Sequence, residues 1–447
     1  MHGILDTDLE SLDEMPLNSF HRKLAIYAAG GPFLDGYILS IIGVALIQAT
    51  PQLKLNSFWE GMIGASALVG IFLGGFAGGW LADKLGRQTL YTLDLITMIL
   101  CSVAQYWATS APMLFICRLL IGAAVGADYP IATALLTEFT PRRYRGPFVG
   151  GLMVMWFVGA AVAYGVGELL LQLGPDGWRW MLASAALPAL GFVLMRHGTP
   201  ESPRWLARQG RHAEVRAILR RVYGPIADTR TTLPQVEARP ASRISIRELF
   251  RGEYGARVLF VSMFWTCSIV PLFAVYAFGP KIMVALGMSA SNGTLSTTVI
   301  TLMFLFGCLL SLLVINRLGR RSLLLHSFFW SGLTLLALGL FPNISPTLIL
   351  TLFCIYAVFI GGSQVLQFIY PNELFPTEIR AAAVGLAASL TRIGAAIGVY
   401  LVPIALEKNG IGNTILIAAA ITEIGYAVSY KMAPETTHKT LEEAAAV

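Results

Sequence analysis

Apolar runs of about twenty residues recur along almost the whole chain. They begin near residues 24, 58, 90, 112, 147, 178, 256, 292, 321, 345, 381 and 411, separated by short polar or glycine-containing segments. Twenty helical residues rise about 30 Å, the thickness of the hydrocarbon core of a bilayer. The runs lack the alternation of apolar and polar positions that a membrane strand needs. The pattern predicts an all-α membrane protein with twelve transmembrane helices in two six-helix halves, residues 24–196 and 255–432. Segments 1–23 and 433–447 are left as polar ends, and 197–254 as a linker.

The halves share polar phrases. Glu138-Phe-Thr-Pro141-Arg-Arg-Tyr-Arg145-Gly146 returns as Glu373-Leu-Phe-Pro376-Thr-Glu-Ile-Arg380-Ala381, 235 residues later. Asp83-Lys-Leu-Gly86-Arg87 returns as Asn316-Arg-Leu-Gly319-Arg320 at an offset of 233, and Pro200-Glu201-Ser as Pro434-Glu435-Thr at 234. Three phrases at one common offset indicate a duplicated multi-span half, an arrangement many secondary transporters use around a midplane site. In the linker, Trp205, Leu206, Val215, Ile218, Leu219 and Val222 fall at helical spacing among six arginines between 204 and 221. That is a basic amphipathic helix, placed against the inner membrane face or the cytoplasmic ends of the bundle.

Composition narrows the class. Only 13% of the 447 residues are charged and 55% are hydrophobic, with mean hydropathy +0.66. A soluble domain carries about 25% charged residues. The net charge of +6 follows topology: Arg22, Lys23, Lys84, Arg87, Arg142, Arg143, Arg145, Arg317, Arg320, Arg321, Arg380, Lys431 and Lys439 fall on one side, against little beyond Lys54, Arg179, Lys281 and Lys408 on the other. The positive-inside rule makes that side cytoplasmic, with both termini on it, and removes any need for a nucleic-acid partner. Residues 1–20 show no cleavable signal, so the first span is the expected anchor. The five cysteines lie inside apolar spans without Cys-x-x-Cys spacing, so neither a disulfide nor a metal site is expected.

Gly79-Trp-Leu-Ala-Asp83-Lys-Leu-Gly86-Arg87 between the second and third runs resembles the signature loop of the major facilitator superfamily. Pro200-Glu-Ser-Pro-Arg-Trp205 resembles the sugar-porter branch, and Asn372-Glu-Leu-Phe-Pro-Thr-Glu-Ile-Arg380 is similar to a loop of niacin and organic-ion carriers. Gly126-Ala-Asp128-Tyr-Pro130 is similar to a phrase of proton-coupled phosphate carriers. Gly31-Pro-Phe-Leu-Asp35-Gly-Tyr37 resembles bacterial inner-membrane metabolite transporters. The resemblance implies alternating access, with Asp83, Gly86, Arg87, Glu138, Arg145, Glu373 and Arg380 latching the halves at the cytoplasmic side. One departure matters: sugar porters carry amides in the seventh span, and here Phe264 to Phe278 contains none. Hydroxyls left unpaired against that wall would each cost about 1–3 kcal/mol, which disfavours a hexose.

Ionisable groups near the bilayer centre cost at least about 2.5–3.5 kcal/mol on insertion scales and call for a function. Asp35, Arg118, Asp128, Arg392 and Glu423 are such groups. In proton-coupled relatives a first-span aspartate faces an arginine heading a small-residue pattern on the fourth span, which Arg118-x3-Gly122-x3-Gly126 matches. The resemblance therefore implies proton coupling through Asp35 and Arg118, with Asp128 either a second carrier or a cap near Pro130. Arg392 is a candidate partner for a substrate anion or for Glu423. Gln364 and Gln367 resemble cavity-lining positions, and Tyr37, Trp156, Tyr276 and Tyr356 are candidate aromatic walls. The expected function is proton-coupled uptake of a small organic acid across a bacterial inner membrane by a monomer among membrane lipids. The alternatives are a neutral sugar, polyol or nucleoside, efflux of an organic cation, or a non-transporting sensor. No nucleotide loop, metal cluster or nucleophile–base set suggests an enzyme, and no cofactor is expected.

Overall fold

The structure, a computed structural model, describes residues 17–140, 142–196, 199–203, 206, 209–223, 252–375 and 377–437. Five long helices lead: α1 (Ser19–Leu53), α2 (Ser57–Leu85), α3 (Arg87–Ala104), α4 (Ala111–Phe139) and α5 (Arg142–Leu171). The next crossing is made by α6 (Gly177–Ser184) and α7 (Ala186–Arg196), joined at Ala185. After α8 (His212–Tyr223) come α9 (Gly252–Ala285), α10 (Ala290–Leu318), α11 (Arg320–Leu340), α12 (Pro346–Leu374) and α13 (Thr377–Met432). No strand occurs among the described residues.

Eleven apolar segments are long enough to cross a membrane, and the last, Ala383–Met432, has 50 residues. At about 1.5 Å per residue it would run about 75 Å, over twice the hydrocarbon thickness. Gly410 breaks it with φ 74° and ψ 173°, so α13 is long enough to cross twice, which makes twelve candidate crossings among the described residues. Pro271 and Pro280 lie within α9, and Phe278 between them has φ −134°, a kink at the point where a proline removes a ladder hydrogen bond.

The two halves repeat their packing as well as their phrases. In the first half α2 packs on α4 and α1 on α5; in the second α10 packs on α12 and α9 on α13. Small residues permit the close crossings. A Cβ at Gly126 would meet the Gly75 nitrogen at 2.8 Å, and one at Gly361 would meet the Cys308 nitrogen at 2.8 Å.

The α2–α3 turn is made by Gly86 at φ 90°, ψ 150°, and its counterpart Gly319 sits at φ 86°, ψ 160° between α10 and α11. Only glycine holds this region cheaply. The duplicated Pro-Glu phrases serve the helices that follow. Glu201 accepts the Gln88 N–H at 3.0 Å, while Glu435 accepts those of Arg320 at 2.9 Å and Arg321 at 3.1 Å. Each carboxylate satisfies orphan donors at the positive end of a helix dipole.

The amphipathic α8 lies on the end of the first half. Val215 and Leu219 cluster with Leu206, and Val222 joins Leu24 and Phe139. The Tyr223 hydroxyl donates to the Phe139 carbonyl at 2.9 Å, leaving Arg216, Arg220 and Arg221 exposed.

Candidate functional site

Two ends of the bundle can be distinguished, one bearing the termini of the described residues and the Gly86 and Gly319 turns, the other the short loop at Lys54. The described contacts between the halves gather toward the second, far end. α2 packs on α13, α5 on α10 and α1 on α9. Glu60 of α2 forms an ion pair with Lys281 of α9 and accepts the Thr50 hydroxyl at 2.7 Å. The Tyr164 hydroxyl donates to the Tyr276 carbonyl at 2.7 Å, and a Cβ at Gly64 would meet the Phe278 ring at 2.9 Å. Among the described residues, the halves are held together at the far end.

Below this closure lies a small cavity of about 50 Å³ between the halves, well under the roughly 300–1,000 Å³ of sites that enclose a whole small molecule. Trp156 and Met153 of α5 line one side; Trp265, Ile269 and Phe273 of α9 line another, completed by Gln364, Gln367 and Arg392. The aromatic walls are held edge-on, Trp156 to Phe273 at 5.9 Å and to Tyr276 at 4.9 Å between centroids. Arg392 lies 5.8 Å from the Phe273 ring centroid, an attractive placement for a guanidinium. The Gln367 amide donates to Ser268 at 2.7 Å and to Gln364 Oε1 at 3.0 Å. Span seven has no amide of its own, yet it faces two amides from span ten across Ser268. The polar wall therefore exists, displaced by one helix.

Trp156 has a second role. Its indole N–H donates to Asp35 Oδ2 at 2.8 Å, so the side chain walling the cavity also holds the buried first-span carboxylate. Arg118, also buried, donates to the carbonyls of Ile63 at 3.2 Å and Ile38 at 3.4 Å. The guanidinium ties α4 to α1 and α2 one turn beyond Asp35. The facing pair that the resemblance implies is thus replaced here by Asp35 with Trp156 and Arg118 with backbone carbonyls.

Asp128 is neither solitary nor a cap. Its Oδ1 accepts from Arg196 Nη1 at 2.7 Å, and the same nitrogen lies 3.9 Å from Asp94 Oδ1. Arg196 also donates to the carbonyls of Tyr91 at 3.1 Å and Tyr27 at 3.2 Å, with its guanidinium 3.4 Å above the Tyr91 ring. Sequence reasoning missed Asp94 and Arg196. Arg196 ends its apolar run and reads as a boundary residue; Asp94 sits early in its run and reads as part of the preceding loop. The sole available signal was their helical depth.

Other expected positions lie elsewhere. Tyr37 points into the first half, its hydroxyl 2.6 Å from Ser184. Tyr276 is fully buried in the closure. Tyr356 lines a second, larger cavity of about 300 Å³ inside the second half, with Lys408 and Asn409 among otherwise mostly apolar residues. Such walls offer little to orient a polar solute. Glu423 packs on Gly332 of α11, and no ion pair among the described residues joins it to Arg392. Of the latch residues, the side chains of Asp83, Arg87, Glu138, Arg145 and Arg380 lie outside the described residues. Glu373 accepts from Arg320 at 3.1 Å and from the Thr436 hydroxyl at 2.6 Å, partners within its own half. Burial acts to raise the Glu435 carboxyl, but donors from Thr437, Arg320 and Arg321 outweigh it and hold the group below its ordinary value.

A family model described as "Sugar (and other) transporter" matches residues 24–447. The chain is 39% identical over 432 residues to the inner membrane metabolite transport protein YgcS of Escherichia coli (strain K12), covering 97% of this chain and 95% of that one. It is 26% identical to the arabinose-proton symporter of Bacillus subtilis (strain 168), covering 93% and 92%. Its fold is similar to the inward-open structure of the xylose transporter XylE from E. coli, with TM-score 0.82 at 21% identity, covering 95% and 99%.

Proposed function

Since the chain belongs to the sugar (and other) transporter family of the major facilitator superfamily, and is a multi-pass membrane transporter rather than an enzyme, we propose that it couples protons to uptake of a small organic acid. The observation that carries this reading is the Trp156 indole, which walls the cavity and donates to Asp35. An N–H donor binds a carboxylate about twice as strongly as it binds a neutral acid. Protonating Asp35 therefore loosens Trp156, and a ligand stacked on Trp156 senses the change. Arg392 supplies the cation for a substrate carboxylate, and the Gln364–Gln367 pair serves hydroxyl or carbonyl groups on the same molecule. A sugar acid or aromatic acid uses all three surfaces.

A neutral sugar or polyol is the second reading, favoured by the two amides beside Ser268. The positive-inside pattern makes the end bearing the termini cytoplasmic in a bacterial inner membrane, so the closed far end faces outward. In this state the cavity would discharge substrate inward, and breaking the Glu60–Lys281 closure would expose it to the outside. The test is ligand affinity against pH, after a thermal-shift screen of acids and sugars has found a binder. Affinity that varies with pH in the wild type and is flat in Asp35→Asn supports coupling. A flat wild-type profile overturns it. Equal affinity for an acid and its amide favours the neutral reading.

A further inference from the structure

The buried cluster joining α3, α4 and α7 has too few positive charges for its acids. Asp94 and Arg196 are each 3% exposed and Asp128 is fully buried. The described titratable or charged groups facing the pair are Tyr91 from α3 itself and Arg196 from α7. From α1 the neighbouring group is the Tyr27 carbonyl, which accepts from both Tyr91 and Arg196. One guanidinium thus serves two carboxyl groups.

The distances to Arg196 are unequal, 2.7 Å to Asp128 and 3.9 Å to Asp94. Asp128 takes the direct contact, with a second guanidinium nitrogen at 3.4 Å. Asp94 Oδ1 accepts its Leu95 N–H at 2.6 Å, and the buried Asp94 Oδ2 receives no N–H or O–H donor among the described residues. The two buried carboxyl groups thus meet at one guanidinium nitrogen, Asp128 at 2.7 Å and Asp94 at 3.9 Å, with one described cation for two acids. Like charges so close in a buried site do not both stay ionised. With one proton between them the pair carries a single negative charge, which Arg196 balances.

We infer that Asp94 and Asp128 form a proton-binding site, separate from the substrate cavity, in which one proton is shared between the carboxyl groups and Arg196 neutralises the remaining charge. The site stands one helical turn from Asp35 along α1. Asp128 packs on Gly31, four residues before Asp35 and toward the end bearing the termini. The inference needs neither the identity nor the charge of the substrate.

The experiment is infrared spectroscopy of the purified full-length protein in nanodiscs at neutral pH, without ligand, using isotope-labelled aspartate to mark its carboxyl bands. The wild type should show a protonated aspartic carboxyl that shifts with the label. Asp94→Asn and Asp128→Asn should each remove one carboxyl's worth of that band, since a single remaining carboxylate pairs with Arg196 and ionises. Asp35→Asn should leave this component in place, which separates the site from the coupling carboxyl of the cavity. If Asp94→Asn fails to fold, Asp128→Asn and the labelled wild type still decide the matter. No labelled protonated carboxyl in the wild type overturns the proposal, as does a band that both variants leave intact.

Discussion

Lys281→Ala removes the one described ion pair that bridges the halves at the far end, and its effect can be bounded from the structure. Glu60 is 5% exposed at its side chain and Lys281 is 41% exposed, so the pair lies between two regimes. An exposed pair is worth about 0.2–1 kcal/mol. Breaking a fully buried one costs about 3–5 kcal/mol because it strands a charge. Thr50 still donates to Glu60 in the variant, and water reaches Lys281, so a loss of about 1–2 kcal/mol is reasonable between those limits. At about 1.4 kcal/mol per factor of ten, the ratio of far-end-closed to far-end-open molecules should fall about 5- to 30-fold. Spin labels at Asn56 and Asn409, in a background lacking the five native cysteines, would report the separation of the halves at that end. The variant should gain a longer-distance population that the charge swap Glu60→Lys with Lys281→Glu removes. An unchanged distribution in Lys281→Ala would refute the argument that this pair holds the closure.

Three further outcomes follow from particular contacts. Arg392→Gln should weaken binding of an acid about 30-fold or more while hardly affecting its amide, read by calorimetry, because one partner of a charge-assisted contact is lost. The Glu435 carboxyl lies below its ordinary value, so its contribution to stability is full above about pH 4.3 and disappears as pH falls through the lower folded value. Glu435→Gln should therefore lower the melting temperature at neutral pH, with the difference narrowing in acid. Gly319→Ala should also melt earlier, because φ 86° suits glycine and the new Cβ would meet Glu435 at 2.6 Å.

Crossings, duplication and turns were legible because each is written locally. Run length encodes a membrane helix, and a phrase such as Asp83-Lys-Leu-Gly86-Arg87 encodes a glycine turn that the structure shows twice with nearly equal dihedrals. The merged α13 was legible as two runs, at 381 and 411, and Gly410 supplies the break. The chemistry was legible only as single residues. Asp35, Trp156, Arg392, Gln364 and Gln367 were all singled out, but their partnerships depend on helix rotation, which a uniformly apolar run does not reveal. That is why Asp35 was set against Arg118 rather than Trp156, and why Tyr37 and Tyr356 were assigned to a wall they do not join. The Glu60–Lys281 pairing is not legible in the sequence for a related reason: each reads as an ordinary charge near a loop, and only the meeting of two halves makes them a pair.

The coupling claim centres on Asp35, held by the Trp156 indole at the cavity wall. Its most direct test is substrate accumulation in proteoliposomes under an imposed pH gradient, with wild type and Asp35→Asn compared alongside exchange at equal pH. The account predicts that the variant loses gradient-driven accumulation and keeps exchange. An Asp35→Asn protein that still concentrates substrate under the gradient would contradict it.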